Sequence, residues 1–312
     1  MNVTLLSGGV GGAKLAAGLY DVLGPGELTI VGNVGDDLEV LGLSVSPDLD
    51  SLLYGLAGLN DTERGWGRAG ETWQALEAVR GWGGEGWFAL GDLDIGLHLV
   101  RSEALRRGES LSAVTASLVA AAGLDVRLLP ATDDALRTRV VTPAGTFSFQ
   151  QWFVARGHRD EVDALVYEGA DEARPAPGVL EEIAKADVIV VAPSNPFVSI
   201  HPILAVAQIR EALEARQSPA IAVSPLIGGL AVKGPLDRMM LRLVGGTTPE
   251  LVTRCYEGLL EALVIDAADR DAMAPVRLVV TDTLMPDREA ARRLAQTTLE
   301  AALEPVRSQT AS

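Results

Sequence analysis

Short apolar runs alternate with longer amphipathic segments at both ends of this 312-residue chain. Continuously apolar runs rich in β-branched residues are typical of parallel strands covered on both faces. They occupy residues 3–6, 28–31, 188–192, 220–223 and 278–281. Helical periodicity follows over residues 12–23, 203–216 and 287–303. The alternation predicts an α/β fold: a doubly wound, mostly parallel, Rossmann-like sheet.

The middle of the chain has a different pattern. Three helical segments and then two strand-like runs around Pro143-Ala144-Gly145 cover residues 71–82, 97–107, 111–122, 137–142 and 146–152. We therefore predict a Rossmann-like nucleotide-binding core from residues 1–59 and 176–307. A largely helical insertion, residues 60–175, is expected to carry a small β-hairpin.

Charge and composition narrow the class of partner. The formal net charge is -16 and the pI is about 4.6, which argues against binding nucleic-acid phosphates. The single cysteine, Cys255, cannot form an internal disulfide, which fits a reducing cytoplasm. No basic leader or run of about 18 apolar residues is present, so we expect neither a signal peptide nor a membrane helix.

A glycine-rich turn follows the first strand and opens the first helix. Amide groups at such a helix start favour an anion, so the turn is a candidate phosphate cradle. A Rossmann dinucleotide site needs a third glycine where Lys14 stands and an acidic residue where Asn33 stands. A Walker A loop needs Ser or Thr where Leu15 stands. The turn therefore fits neither a standard NAD site nor a P-loop ATPase. The alternative is a tight turn without a ligand. The candidate nucleotide-binding residues here are Gly8, Gly9, Gly11, Gly12, Lys14 and Asn33.

Four aspartates follow the second strand, at Asp36, Asp37, Asp48 and Asp50. Carboxylates gathered at one sheet edge repel each other unless a cation is present, and hard oxygens suit Mg²⁺. One of them is also a candidate general base. The simpler alternative is that Asp48 or Asp50 caps the next helix.

Two further polar segments are candidates. The first segment contains Asp92, Asp94, His98 and Arg101. It forms either a capped helix with a salt bridge or a polar wall of the site. A zinc site is not expected, because the segment has one histidine and no nearby cysteine. Ser194 and Asn195 follow the strand at 188–192, where open α/β sheets bind ligands. Lys233, after a similar turn on the next strand, is placed to meet a phosphate.

Four tryptophans cluster in a chain poor in aromatic residues, at Trp66, Trp73, Trp82 and Trp87. They belong either to the core of the insertion or, for Trp66 or Trp73, to a wall on which a planar ligand stacks.

Taken together, these motifs resemble the 2-phospho-L-lactate transferase family of coenzyme F420 biosynthesis, whose bacterial members include phosphoenolpyruvate transferases. The resemblance rests on ordered segments along nearly the whole chain: residues 7–14, 33–37, 46–50, 64–73, 90–101, 129–134, 194–204, 224–233 and 281–285.

The resemblance implies a Mg²⁺-dependent transferase. The family moves a phospholactyl or phosphoenolpyruvyl group from a guanosine-diphosphate-activated donor to the ribityl hydroxyl of 7,8-didemethyl-8-hydroxy-5-deazariboflavin (Fo), and GMP leaves. By position, Asp50 resembles a family residue that contacts Fo, and Ala89 falls at a second such position, where a backbone contact is expected. Many members have histidine where Leu41 stands, so Leu41 is assigned no role.

The roles expected on this basis can be stated by residue. Asp50 and Asp37 are catalytic, and Asp37, Asp48 and Asp50 hold Mg²⁺. The insertion forms part of the acceptor site, and we expect a homodimer. The residues expected around Fo are Asp50, Ala89, Trp66, Trp73, Asp92, Asp94 and His98.

Two rival functions stay open. A related family shares the glycine turn and sheet but binds UDP-sugars as a regulator, and residues 60–152 favour the transferase over it. A nucleotide-sugar or NAD enzyme is disfavoured by Lys14 and Asn33. The residues do not distinguish donors carrying phospholactate, phosphoenolpyruvate or phosphoglycerate.

Overall fold

The computed structural model describes residues 1–256 and 258–304. Its strands are β1 (Val3–Ser7), β2 (Leu28–Gly32), β3 (Leu38–Val40), β4 (Leu43–Val45), β5 (Arg127–Pro130), β6 (Arg137–Thr142), β7 (Gly145–Ser148), β8 (Ala164–Glu168), β9 (Val188–Val191), β10 (Ala220–Val223), β11 (Leu226–Ile227), β12 (Leu230–Ala231), β13 (Ala262–Asp266) and β14 (Arg277–Thr281). Its α-helices are α1 (Gly9–Val22), α2 (Pro47–Ala57), α3 (Gln74–Gly81), α4 (Asp92–Arg106), α5 (Leu111–Ala121), α6 (Val179–Lys185), α7 (His201–Leu204), α8 (Ala207–Ala215), α9 (Leu236–Val244), α10 (Pro249–Arg254) and α11 (Arg288–Leu303).

A seven-stranded parallel sheet in the order β14-β13-β10-β9-β1-β2-β5 forms the centre of the molecule. Every residue of β1, β2, β9, β10 and β13 is buried, as the continuous apolar runs predict. The chain winds outward from β1 in both directions, so the strand order reverses between β1 and β9. The predicted doubly wound α/β fold is confirmed, and the carboxyl ends of β1 and β9 mark its switch point.

Helix α1 packs between α2 and α11. Gly18 allows α1 and α11 to touch, because a Cβ there would lie 2.2 Å from the carbonyl oxygen of Ala291. Helices α6 and α8 pack against each other. Since α1 begins directly after β1, this packing fixes the direction in which the glycine turn points.

Some elements differ from the sequence prediction. The single helix expected over residues 203–216 is interrupted: α7 ends at Leu204 and α8 begins at Ala207, because the backbone of Val206 between them is extended. A π-helical turn (Pro196–Ile200) precedes α7. The run expected to be a strand to residue 152 ends at Ser148 and continues as a π-helical turn (Gln151–Ala155).

Two strands of the main sheet have no counterpart in the predicted set. β5 has four residues, starting at Arg127 and ending at Pro130, which hides it among turn signals, whereas β13 has five residues, as many as β1. β5 lies within residues 60–175 yet pairs with β2, so this segment completes the core sheet. The rest of the segment contributes α3, α4, α5 and an antiparallel sheet in the order β7-β6-β8. The division into two domains stays a prediction.

Within residues 1–256 and 258–304, no helix combines the length and the apolar character that a membrane crossing requires.

Candidate active site

Four aspartates lie at the carboxyl edge of the sheet, next to β2. Asp36 and Asp37 follow β2, and Asp48 and Asp50 stand in the first turn of α2. Carboxylates are favoured in a first turn, where unpaired N–H groups carry partial positive charge. Asp36, Asp48 and Asp50 are each no more than 6% exposed. These three carboxylates are therefore withdrawn from solvent, and Asp37 beside them is half-buried.

Asn33, just after β2, links two of these carboxylates. Its Nδ2 donates to Asp36 Oδ1 and Asp48 Oδ2, at 2.9 Å each, and lies 3.1 Å from the carbonyl oxygen of Val198. Its Oδ1 accepts a hydrogen bond from the backbone N–H of Gly35. An acidic residue here would face two carboxylates, which explains the departure from the dinucleotide pattern. Although we predicted that Asn33 binds phosphate, its hydrogen bonds are made within the protein.

The side chain of Asp48, which belongs to α2, reaches the N-terminus of α1. Its Oδ1 accepts a hydrogen bond of 2.7 Å from the backbone N–H of Gly9. Beside it, Ser194 Oγ accepts from the N–H of Gly8 at 3.3 Å and donates to the Gly8 carbonyl at 2.7 Å. The amide of Gly9, which the sequence suggested as a donor to phosphate, therefore donates to the carboxylate of Asp48 in this structure.

The glycines of the turn are required for packing inside the protein. A Cβ on Gly11 would lie 2.6 Å from the carbonyl oxygen of Pro193, and one on Gly12 would lie 2.3 Å from Ser7 Oγ and 2.7 Å from Ser194 Oγ. These contacts bring α1 against the end of β1 and the loop after β9. The close packing of α1 against these parts of the same chain is therefore sufficient to explain glycine at these two positions.

The other candidate phosphate-binding side chains point to different partners. Lys14 Nζ donates to the carbonyl oxygen of Met285 at 2.7 Å. Asn195 Oδ1 caps the π-helical turn by accepting from the N–H of Phe197, and its Nδ2 lies 3.4 Å from Met239 Sδ.

A buried polar network surrounds Asp50. Arg101, only 1% exposed, donates to both carboxylate oxygens, with Nη1 3.0 Å from Oδ2 and a second, shorter contact from Nη2 to Oδ1. The same Nη1 lies 3.2 Å from His98 Nδ1. Because a guanidinium only donates, His98 Nδ1 must accept, and the neutral ring then carries its proton on Nε2.

Asp94 completes this network. His98 Nε2 faces Asp94 Oδ1 at 3.4 Å, and the hydroxyl of Tyr54 donates to the same oxygen at 2.5 Å. Burial alone would raise the pKa of Asp94, but the contact with His98, the hydrogen bond from Tyr54 and the charge of Arg101 together outweigh burial and lower the pKa below its ordinary value. The ring of His98 is therefore held between two charged groups in one orientation.

Asp37 differs from the other three aspartates. Its Oδ2 accepts a hydrogen bond from Ser46 Oγ at 2.9 Å, whereas its Oδ1 is buried and has no hydrogen-bond partner among the residues that the structure describes. Burial raises the pKa of Asp37 to about 7 against the opposing charge of Arg137. Burial also raises the pKa of Asp48 to about 6 and that of Asp36 well above its ordinary range.

A cavity of about 180 Å³ adjoins Asp36 and Asp37 and is bordered on its other side by β6 and the end of β7, with Arg137 and Gln150 in its lining. Within the described residues, no three His, Cys, Asp or Glu side chains are arranged to hold a metal ion. The unpartnered oxygen of Asp37 and the raised pKa values of its neighbours nevertheless fit a group that accepts a cation or a proton.

The aromatic residues expected around Fo meet at an arginine. The guanidinium carbon of Arg64 lies 4.9 Å from the ring centroid of Trp66 and 4.8 Å from that of Trp73, and the two rings are 6.3 Å apart. Trp66 is 43% exposed, so its ring is accessible to a ligand, while Trp82 is 93% exposed and lines no core.

Asp92 serves as a cap for α3. Its carboxylate accepts from the backbone N–H groups of Gln74 and Ala75, at 3.2 and 3.0 Å, and from the hydroxyl of Thr72. Glu71 in turn caps the start of α4, because its carboxylate accepts hydrogen bonds from the backbone N–H groups of Leu93 and Asp94. Ala89 is half-buried and stands three residues before Asp92, the first residue of α4.

Three residues of the site were not among the predicted set: Tyr54, Arg137 and Gln150. Tyr54 lies one helical turn after Asp50 on α2, a spacing that places both on one face. Gln150 Nε2 donates to Asp36 Oδ2 at 3.1 Å from 114 residues away, and no local signal could have indicated that contact.

Comparison with known proteins agrees with the motifs. The family model described as 2-phospho-L-lactate transferase CofD matches residues 3–304. A phosphoenolpyruvate transferase of Kitasatospora aureofaciens is 43% identical over 311 residues, covering 96% of this chain and 97% of that protein. One from Streptomyces griseus is 41% identical, with 97% and 99% covered, and one from Mycolicibacterium smegmatis is 38% identical, with 97% and 99% covered.

Among solved structures, a protein of the UPF0052 family from Bacillus halodurans is similar in fold. The TM-score is 0.62 at 17% sequence identity, and the match covers 97% of this chain and 98% of that one. This likeness concerns the fold alone. The family model and the full-length relatives establish that the chain belongs to the 2-phospho-L-lactate transferase family of coenzyme F420 biosynthesis.

Proposed function

We propose that this transferase moves a phosphoenolpyruvyl or phospholactyl group from a guanosine-diphosphate-activated donor to the ribityl hydroxyl of Fo and releases GMP. Relatives at about 40% identity over nearly full length are named phosphoenolpyruvate transferases, which favours the phosphoenolpyruvyl donor. The buried Asp37 carboxylate at the sheet edge is the observation that supports this chemistry most directly.

Asp37 is proposed as the general base. A base works best when its pKa is near the working pH, and the pKa of Asp37 is raised to about 7 by burial. Its Oδ1 has no competing donor. In the step we propose, the Fo hydroxyl oxygen attacks the phosphorus that bears the three-carbon acid. The bond from that phosphorus to the bridging oxygen breaks, GMP leaves with the bond electrons, and the hydroxyl proton goes to Asp37.

Asp50 is proposed to orient the acceptor rather than to take the proton. Both of its oxygens accept from Arg101, and Arg101 is fixed in turn by His98. A carboxylate held this firmly still has lone pairs for the Fo hydroxyl, and its position is set before Fo arrives. Trp66 and Trp73 are proposed to hold the ring system of Fo.

Asp48 and Asp50 are the proposed holders of Mg²⁺, and Asp37 would join them only where it does not serve as the base, because a bound cation lowers the pKa of a carboxyl group. The ion would neutralise pyrophosphate charge and polarise the phosphorus that is attacked. Asp48 bonds to Gly9 and Asn33 in this structure, so its oxygens become available only if those hydrogen bonds are exchanged. A phosphate oxygen that bonds to the amide of Gly9 would make that exchange.

The proposal is tested by incubating the purified protein with Fo, Mg²⁺ and donors carrying each of the three acids. Mass spectrometry should detect a phosphodiester of Fo together with one GMP per turnover. Turnover with none of the donors, combined with binding of a UDP-sugar, would instead favour the regulatory alternative. We also propose a homodimer, which sedimentation velocity would test independently.

A further inference from the structure

The polar network around Asp50 continues through α4 and returns to α2. Arg101 donates to Asp50, and its Nη1 lies 3.2 Å from His98 Nδ1. On the other side of the ring, His98 Nε2 faces Asp94 Oδ1 at 3.4 Å, and the hydroxyl of Tyr54 donates to that same oxygen at 2.5 Å. Asp50, Tyr54, His98 and Arg101 are each no more than 5% exposed. These four side chains therefore depend on polar partners inside the protein.

Arg101 has few contacts besides Asp50 that fix its position. Its Nη1 approaches the carbonyl oxygen of Ser44 at 3.5 Å, the outer limit of a hydrogen bond, and its Nε has no partner among the residues that the structure describes. His98 Nδ1, at 3.2 Å, is the closer of the two acceptors that hold Nη1 from the side. The orientation of the guanidinium, and with it that of the Asp50 carboxylate, therefore depends on the ring of His98.

The two ends of the network allow only one placement of the ring proton. A guanidinium has donors only, so His98 Nδ1 must accept, whereas an ionised carboxylate has acceptors only, so Asp94 faces the nitrogen that carries the proton. Nδ1 lies 3.8 Å from Asp50 Oδ2, which is too far for it to donate there instead. A proton on Nδ1 would point at Arg101 and push the guanidinium away from Asp50.

We propose that Asp94 is a positioning residue: it fixes the tautomer and orientation of His98, which holds Arg101 and thereby sets the position of Asp50. What Asp50 then orients, the acceptor hydroxyl, rests on the proposed function, while the positioning of Arg101 does not. Although the sequence predicts that Asp94 lies around Fo, this role requires no contact with Fo. Tyr54 keeps Asp94 in place from α2, the helix that also carries Asp50.

NMR tests the network without any substrate. The chain has only three histidines, so labelling with ¹⁵N-histidine gives three rings, and that of His98 is the one lost in His98→Asn. We expect a neutral His98 ring with its proton on Nε2, and slow rotation of the Arg101 guanidinium. Asp94→Leu removes the acceptor, so it should shift the Nε2–H signal and speed that rotation. A proton on Nδ1, a charged ring, or unchanged His98 and Arg101 signals in Asp94→Leu overturns the proposal.

Steady-state kinetics with Fo and the effective donor test the consequence for transfer. Asp94→Leu should lower kcat about 10- to 100-fold, as is typical when a partner that orients a histidine is lost, and leave the KM of the donor unchanged. Asp94→Asn should retain more activity, because its amide oxygen can accept from the same donors. Glu103→Gln is the matched control, since Glu103 lies on the same helix in an exposed pair with Arg107. Wild-type kcat in Asp94→Leu, or an equal loss in Asp94→Asn, would contradict the positioning role.

A double-mutant cycle separates positioning from a general loss of packing. His98→Asn offers an oxygen near the place of Nδ1 that can accept from Arg101, but its side chain is too short to reach Asp94. Asp94→Leu should therefore cost little further activity in that background, whereas a purely structural role would cost the same in both. The wild-type tautomer decides the question even if Asp94→Leu fails to fold. Absence of turnover with every donor would contradict the proposed function, and the NMR signals would still show whether Asp94 positions Arg101.

Discussion

Arg101 and Asp50 form a bidentate ion pair that is almost completely out of solvent, with side-chain exposures of 2% and 7%. They are 51 residues apart in sequence and come from α4 and α2. Removing one partner of a buried pair leaves an uncompensated charge, which is costly even where the pair itself adds little stability. The pair therefore links α4 to α2 at the position where the acceptor hydroxyl is proposed to bind.

Asp50→Asn should consequently lower stability as well as transfer. We expect the free energy of unfolding to fall by about 3 kcal/mol, because Arg101 stays buried without a counter-charge. Chemical denaturation measures the loss. Arg139→Gln is the matched control, since its pair with Glu168 is largely exposed and should cost no more than about 1 kcal/mol. Equal losses in the two variants would contradict the argument.

The metal-free protein should become less stable as the pH rises from about 4 to about 8. Burial raises the folded-state pKa of Asp37 to about 7 and that of Asp48 to about 6, from ordinary values of 3.8. A group that holds its proton more tightly when folded contributes stability below its unfolded pKa and loses it as the pH passes the folded pKa.

Melting temperatures at several pH values check this, and Asp37→Asn serves as the comparison because it removes one such group. The variant should show a smaller loss between pH 5 and pH 8, and Mg²⁺ should raise the wild-type melting temperature most at the upper end. Parallel curves for the two proteins would show that Asp37 does not titrate in this range.

Gly11→Ala should destabilise the protein without any ligand present. A Cβ at Gly11 would lie 2.6 Å from a backbone carbonyl oxygen that cannot easily move. We expect a loss of about 1–3 kcal/mol, typical of overpacking. Gly96 on α4 has open space around it, so Gly96→Ala should be neutral or stabilising by about 0.5–1 kcal/mol. If Gly11→Ala behaves like this control, the turn tolerates a side chain and its glycine is kept for another reason.

Fo should quench tryptophan fluorescence, and Trp66→Leu or Trp73→Leu should reduce both the quench and the affinity for Fo while sparing GDP. Loss of one stacked ring costs roughly 1–1.5 kcal/mol, or about tenfold in binding. Trp82→Leu provides the control, because that ring is 93% exposed. Unchanged Fo affinity in both test variants would mean that the rings only support Arg64.

Local patterns were sufficient to predict five of the seven strands of the sheet and the grouping of the aspartates. Uninterrupted apolar runs such as β1 and β9 are stable only when both faces of the strand are buried, and strands buried on both faces are typical of parallel sheets. Asp36 and Asp37 follow one such strand and Asp48 and Asp50 open the next helix, so their convergence is a consequence of short-range chain geometry. β5 escaped prediction because its four residues begin with Arg127 and end with Pro130, whereas neither length nor burial distinguishes β13 from β1.

By itself, then, the sequence determined the fold class, the edge of the sheet that carries the site and the family, because each depends on residues that are neighbours in the chain. Only the tertiary structure decided which hydrogen bonds those residues make. Arg101 reaches Asp50, Gln150 reaches Asp36, Asp48 reaches Gly9 and Lys233 reaches Gly65 across 39 to 168 residues. Contacts of that separation depend on how helices and loops pack, and so does the burial that raises the pKa of Asp37 and leaves one of its oxygens without a partner.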